Sequence, residues 1–185
     1  ARADVAYVLA FENRGPEVGA TIAHPHGQIY AFGEVPTAAH AELDGPLCGL
    51  CGLGDPGDRL VARDGGWIVE IPVAASWPYE LLLRPVDHVA DLPSATSDTR
   101  SGLATVLVDA LARLDRLFDQ PMPYMLWVHQ RPTDGAEWPT AHLHVHIAPL
   151  WRSKGTPRFV AAGELGSGVF FNPVVPEDAA QQLRS

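Results

Sequence analysis

Hydrophobic positions fall into short blocks, with one long exception. Residues 6–12, Ala-Tyr-Val-Leu-Ala-Phe-Glu, form an apolar run of strand length. Residues 13–19 read as a turn segment. Residues 21–32 predict a second strand with polar groups on alternate positions. Residues 33–57 carry many Gly and Pro and predict mostly loop. Strands fit again at 67–72 and 80–84. From Ser97, an N-cap residue type, Leu103, Val106, Leu107, Ala110, Leu111, Leu114 and Leu117 recur at helical spacing and predict a helix to Phe118. Residues 124–130 and 142–149 read as strands, and Pro176 opens a short helix over 177–184. The pattern predicts an α+β fold: an antiparallel sheet of five or six strands with one long packed helix.

The blocks also repeat, imperfectly. Strand 6–12, a turn and His24-Pro-His26 are echoed by strand 124–130, a loop and His142-x-His144-x-His146. Between them stand Cys48-x-x-Cys51, a Pro-x-x-His ending at His88, and the long helix. The second repeat has all its parts, whereas the first contributes only its last two strands. The expected division is 1–36, strands of an incomplete first half, and 37–185, a second half with a C-terminal extension. A two-strand piece is unstable by itself and must pair with something.

Composition narrows the function. The 185 residues are 46% hydrophobic and 19% charged, which suits a globular core and excludes a disordered tail. A formal net charge of −9 argues against nucleic acid or an anionic membrane as partner. No apolar run approaches the roughly 18–20 residues of a membrane span. The N-terminus lacks the apolar core of a signal sequence, and the two cysteines stand as Cys-x-x-Cys. A cytoplasmic protein is expected, with the cysteines as metal ligands before a disulfide; a redox couple or inert thiols are the alternatives.

Two motifs carry candidate chemistry. If 21–32 is a strand, His24, His26 and Gln28 share a face. A neutral imidazole is a nucleophile toward phosphorus, Gly27 lets a phosphate approach the backbone, and Gln28 can donate to a phosphoryl oxygen. Cys48 and Cys51, with His88 and the His142 cluster behind them, offer the thiolates and imidazoles that suit tetrahedral Zn²⁺.

The segment Phe11-Glu-Asn13-Arg-Gly, followed by His24-Pro-His26-Gly-Gln28, resembles the galactose-1-phosphate uridylyltransferases. Trp77-Pro-Tyr-Glu-Leu-Leu-Leu-Arg-Pro, Pro123-Tyr-Met-Leu-Trp-Val-His129, Leu143-His-Val-His146 and Trp151-Arg-Ser agree. The likeness covers nearly the whole chain but only about the C-terminal half of a usual member. It implies a histidine-triad-like fold and transfer of UMP from UDP-glucose to galactose 1-phosphate through a uridylyl-histidine. It implies His26 as the nucleophile, and Asn13, Thr21 and Gln28 at the nucleotide phosphates. His24 matches a ligand of a first-half metal site. Ala20 replaces a cysteine common in the family, and Thr21 keeps a hydroxyl beside it.

The same resemblance implies Cys48, Cys51, His88 and His142 as a zinc set, following the order in zinc-bearing histidine-triad proteins. It implies Glu42, His129, His144 and His146 as a second set, for Fe²⁺ or Zn²⁺; a hydrogen-bonded histidine network is the alternative. Arg158 and Glu164 fall where relatives hold the hexose from a partner subunit, so a homodimer, or a separate polypeptide carrying the first half, is expected. Gly163 and Phe170 replace an aromatic and a glutamine there. Gly163-Glu-Leu-Gly-Ser-Gly resembles plant ADP-glucose phosphorylase relatives. Rival readings are a self-contained histidine-triad nucleotidyl hydrolase with His144 as nucleophile, an ADP-glucose phosphorylase-like enzyme, and a non-catalytic zinc-stabilised module.

Overall fold

A computed structural model describes residues 4–185. The strands are β1 (Tyr7–Arg14), β2 (Gly27–Phe32), β3 (Leu60–Asp64), β4 (Trp67–Glu70), β5 (Leu81–Pro85), β6 (Tyr124–His129) and β7 (His144–Pro149), followed by a small hairpin of β8 (Trp151–Ser153) and β9 (Thr156–Pro157). The helices are α1 (Thr37–Leu43), α2 (Gly49–Gly52), α3 (Ser97–Leu117), α4 (Ala162–Ser167) and α5 (Pro176–Arg184).

Seven strands make one antiparallel sheet in the order β2-β1-β6-β7-β5-β4-β3. The expected five or six strands with two separate ones are therefore one continuous sheet. The first-half strands dock on the second half through β1 against β6, from Ala10 opposite Val128 to Arg14 opposite Tyr124. That contact supplies the pairing a two-strand piece needs.

The register sorts side chains onto two faces, because residues directly opposite share a face and neighbours alternate. Trp67, Val69, Leu81, Leu83, Leu126, Val145 and Ile147 lie on one face and pack, fully or almost fully buried, under Val106, Ala110 and Leu114 of α3. The other face carries Asn13, Gln28, His129, His144, His146, Arg84 and Glu70. One face thus makes the core under α3, and the other carries the histidines of β6 and β7.

Helix α3 starts at Ser97, ahead of its first patterned apolar residue, Leu103. Its cap is Thr96 rather than the expected Ser97: the Thr96 hydroxyl accepts from the Thr99 amide at 3.1 Å. The helix crosses the β3–β4 turn so closely that a Cβ on Gly102 would sit 2.1 Å from the Gly65 carbonyl oxygen. Trp67 Nε1 donates to the Thr99 carbonyl at 2.8 Å beside that crossing.

Other expectations shift. Segment 33–57 is loop over more than half its length, as expected, but the short helices α1 and α2 are set into it. Strand β3 had no expectation. Strand β1 runs on to Arg14, into the expected turn. Of the expected strand 21–32 only Gly27–Phe32 pairs; Pro25 has no N–H for a ladder, so His24 and His26 stand in the loop before β2. His142 likewise precedes β7, which begins at His144. No described helix is long and apolar enough to cross a membrane.

Candidate active site and metal groups

The His24–Gln28 motif sits where the chain enters β2. His26 is half-buried. Its Nδ1 lies 2.9 Å from the His24 carbonyl oxygen. A carbonyl only accepts, so Nδ1 carries the proton and Nε2 keeps the bare lone pair. His24 is held the same way, Nδ1 to the Pro25 carbonyl at 2.9 Å. Gly27 opposes Glu12 in the β1–β2 ladder, and a Cβ there would meet the Phe11 carbonyl at 3.3 Å. Gln28 faces the same side as Phe11, its direct partner, and Asn13.

A cleft of about 750 Å³ runs between the end of β1, residues 20–25 and α3, and is lined by Asn13, Thr21 and His24 among others. Its floor is fixed by two tethers. Arg14 forks onto both carboxylate oxygens of Asp115 at 2.9–3.0 Å, and Tyr124 Oη donates to Glu12 at 2.9 Å. Burial first, and then Glu12, push the Tyr124 phenol far above its ordinary value, so it remains a donor.

The first candidate metal group is Cys48, Cys51, His88 and His142, whose donor atoms all lie within 4.8 Å of one another. Cys48 caps α2, so the pair stands at the start of a helix of only four residues. His142 Nδ1 is 3.4 Å from each sulfur, and His88 Nδ1 is 3.3 Å from Cys51 Sγ. His142 Nε2 lies 3.2 Å from the Pro85 carbonyl, which assigns its proton to Nε2 and turns the lone pair toward the thiols. Burial pushes the His142 pKa down to about 4, so the ring is neutral and ready to ligate. Burial, then the neighbouring Cys48, push the Cys51 thiol up. Two thiols and two imidazoles converging without a disulfide fit Zn²⁺.

The second group joins Glu42 of α1 to His129, His144 and His146 of β6 and β7. Glu42 Oε2 is 2.6 Å from His129 Nδ1 and 3.1 Å from His144 Nε2, and Oε1 is 3.6 Å from His146 Nε2. Burial alone would raise the Glu42 carboxyl, but contacts with His129, His144 and His146 outweigh it and hold the carboxyl well below its usual range. Both His146 nitrogens are buried without a hydrogen-bond partner. Orphaned imidazole nitrogens facing a carboxylate fit a cation such as Fe²⁺ or Zn²⁺. A cavity of about 310 Å³ beneath α1 and α2 borders both groups.

His144 is 6% exposed, with Nδ1 on the His142 carbonyl at 2.6 Å and Nε2 on Glu42. Neither nitrogen is available to attack a phosphate, so the geometry does not favour the hydrolase reading. Arg158 and Glu164 are buried and paired with each other. The Arg158 guanidinium lies over Trp77 at 4.7 Å and Phe170 at 5.4 Å, and its Nε and Nη1 have no partner.

Sequence reasoning missed three side chains here. Trp127 stacks on His146 with ring centroids 4.9 Å apart. Glu80 places an oxygen 3.8 Å from His146 Nδ1, and Arg84 ties the loop after Cys51 to the sheet. Strand alternation was the available signal for Arg84 and Trp127, since each lies on the same face as a metal-group histidine.

Known proteins complete the picture. The family model described as galactose-1-phosphate uridyl transferase, C-terminal domain, matches residues 55–185, and its N-terminal counterpart matches 1–36. The chain belongs to the galactose-1-phosphate uridylyltransferase family. A galactose-1-phosphate uridylyltransferase of Thermotoga maritima is 36% identical over 97% of this chain and 60% of its own length. The Rattus norvegicus enzyme is 32% identical over 96% of this chain and 51% of its own. The chain thus spans about half to three fifths of these relatives. A solved uridylyltransferase mutant matches with TM-score 0.90 and 31% identity, over 98% of this chain and 63% of that one. An ADP-glucose phosphorylase from Arabidopsis thaliana matches with TM-score 0.86 and 26% identity, over 98% and 59%.

Proposed function

We propose that this chain is the catalytic-half polypeptide of a hexose-1-phosphate uridylyltransferase, exchanging UMP between UDP-glucose and galactose 1-phosphate. The observation that carries the reading is the His26 ring held at Nδ1 by the His24 carbonyl, with Nε2 bare. Nε2 attacks the α-phosphorus of UDP-glucose. A P–N bond forms, the bond to the bridging oxygen breaks, and glucose 1-phosphate leaves. Galactose 1-phosphate then attacks the same phosphorus through a phosphate oxygen and returns His26 to its free state. Asn13, Thr21 and Gln28 serve the nucleotide phosphates, an assignment supported by Asn13 and Thr21 lining the cleft and by Gln28 sharing a sheet face with Asn13. Arg158 and Glu164 serve the hexose phosphate; the unpartnered Arg158 nitrogens support an anion there.

In this reading Cys48, Cys51, His88 and His142 hold Zn²⁺, and Glu42, His129, His144 and His146 hold Fe²⁺ or Zn²⁺. Both ions lock α1 and α2 onto the sheet, and neither enters the transfer. His24 serves a metal completed by residues of the first half. Two free cysteines support a cytoplasmic location.

The test is covalent labelling. UDP-glucose carrying ³²P at the α-phosphate is expected to leave label on the chain supplemented with a first-half polypeptide, and His26→Asn abolishes it. Label lost instead in His144→Asn, or never formed, overturns the reading. ADP-glucose in parallel reports the base preference.

A further inference from the structure

A buried ion pair beside the cysteine loop has no part in uridylyl transfer. Glu70 of β4 is 1% exposed and Arg84 of β5 is 4% exposed, both on the metal-bearing face. Arg84 Nε donates to Glu70 Oε1 at 2.7 Å, and Arg84 Nη2 donates to the Gly54 carbonyl at 2.7 Å. The second Glu70 oxygen accepts from Arg59 Nη1 at 3.2 Å, and that nitrogen also donates to the Ile71 carbonyl at 2.8 Å. Gly54 stands three residues after Cys51, in the left-handed region at φ +65°. The loop leaving the cysteines is therefore pinned, through one guanidinium, to two central strands.

The next residue does a parallel task. The Pro85 carbonyl accepts from His142 Nε2, and the chain reaches His88 three residues later. The end of β5 thus bears on the loop leaving Cys51 and on both imidazoles of the Cys48/Cys51/His88/His142 group. Arg84 fixes the thiol loop, Pro85 orients one imidazole, and the strand's continuation delivers the other.

We propose that Arg84, fixed in turn by Glu70, is a positioning residue for this metal group. It sets the cysteine loop at Gly54 so that both thiolates meet the two imidazoles, and so governs how tightly a thiophilic divalent cation is held. The proposal rests on the zinc reading of the four ligands. A guanidinium is suited to the task because its rigid fork serves a carboxylate and a carbonyl together, which an ammonium cannot reproduce with the same geometry.

The experiment measures Zn²⁺ affinity of the full chain by competition with a chromogenic chelator, and the thiolate charge-transfer bands of its Co²⁺ form. Arg84→Met is expected to weaken Zn²⁺ by about 10–100-fold and to shift the Co²⁺ bands, because outer partners of metal ligands carry effects of that size. Arg84→Lys restores part of the affinity. Melting of the metal-free chain separates a merely structural role: unchanged affinity with a lowered metal-free melting temperature overturns the proposal. Should Arg84→Met fail to fold, Glu70→Gln carries the test, with about tenfold weaker binding expected and unchanged affinity overturning it. Full Zn²⁺ retention in Cys48→Ser/Cys51→Ser defeats the zinc reading itself, an outcome distinct from failure at Arg84.

Discussion

Each histidine's task is set by what its second nitrogen does. His26 spends Nδ1 on a neighbouring carbonyl and presents Nε2, whereas His144 spends Nδ1 on the His142 carbonyl and turns Nε2 inward to Glu42, in the second metal group. We expect His144→Asn to leave the uridylyl label on His26 intact. The variant should lose roughly 1–3 kcal/mol of stability, the cost of leaving buried partners unsatisfied. Urea melts alongside the labelling gel check both halves of that statement, and loss of label refutes it.

Asp91 gives a pH-dependent case. Burial would raise its carboxyl, but Ser94, through its amide at 2.7 Å, and Arg131, also at 2.7 Å, outweigh it and hold the carboxyl below its usual value. A depressed folded value means the contribution is present above the unfolded pKa, near 3.9. It is lost as pH falls through the folded value. The stability gap between wild type and Asp91→Asn should therefore be full at pH 6 to 7 and close below about pH 4. A gap that stays constant across that range counts against the assignment.

At the scale of elements, the crossing of α3 over the β3–β4 turn tolerates no side chain. A methyl at Gly102 collides with backbone at Gly65, which cannot rotate away, and with the Trp67 ring at 2.9 Å. We expect Gly102→Ala to cost about 1–3 kcal/mol, the range for overpacking, despite alanine's better helix propensity. A thermal melt at or above the wild-type temperature would falsify this crossing.

Which elements the sequence made legible follows from the same physics. Helix α3 is long, one-sided and capped, so its period declared it to within a residue. The strands under it declared themselves as apolar runs because they are buried. Helix α1 is seven residues with only Ala39 and Leu43 buried, too short for a period to accumulate. Strand β3 is amphipathic and lies at the sheet edge, with Arg63 and Asp64 exposed, and so resembled loop. The metal groups were legible as residue types and spacing, but the Arg84–Gly54 and Glu42–histidine contacts join segments far apart in sequence, where only a fold brings them together.

At the scale of the molecule, the sheet ends on one side in β2. Its six residues are mostly exposed, with Ile29 at 74% and Tyr30 at 51%, and its outer backbone edge pairs with no other described strand. An edge of that kind, with apolar side chains on it, templates further pairing. The family's N-terminal model touches only residues 1–36, and the relatives are longer than this chain. The cleft lined by Asn13, Thr21 and His24 is also walled by residues 20–25, which lead into that strand. A nucleophile accelerates transfer only when donors are preorganised around the developing charge on phosphorus. Here Asn13 and Thr21 supply polar groups to the cleft from this chain. We therefore expect the 185-residue chain alone to self-associate through β2 and to be nearly inactive in a coupled assay with UDP-glucose and galactose 1-phosphate. Adding a polypeptide that carries a relative's first half should raise turnover and disperse the self-associated species. Sedimentation velocity follows the association, and Ile29→Lys should abolish it by placing a charge on the edge. Turnover near a typical enzyme rate of roughly 10 s⁻¹ from the chain alone would show that self-association completes the site.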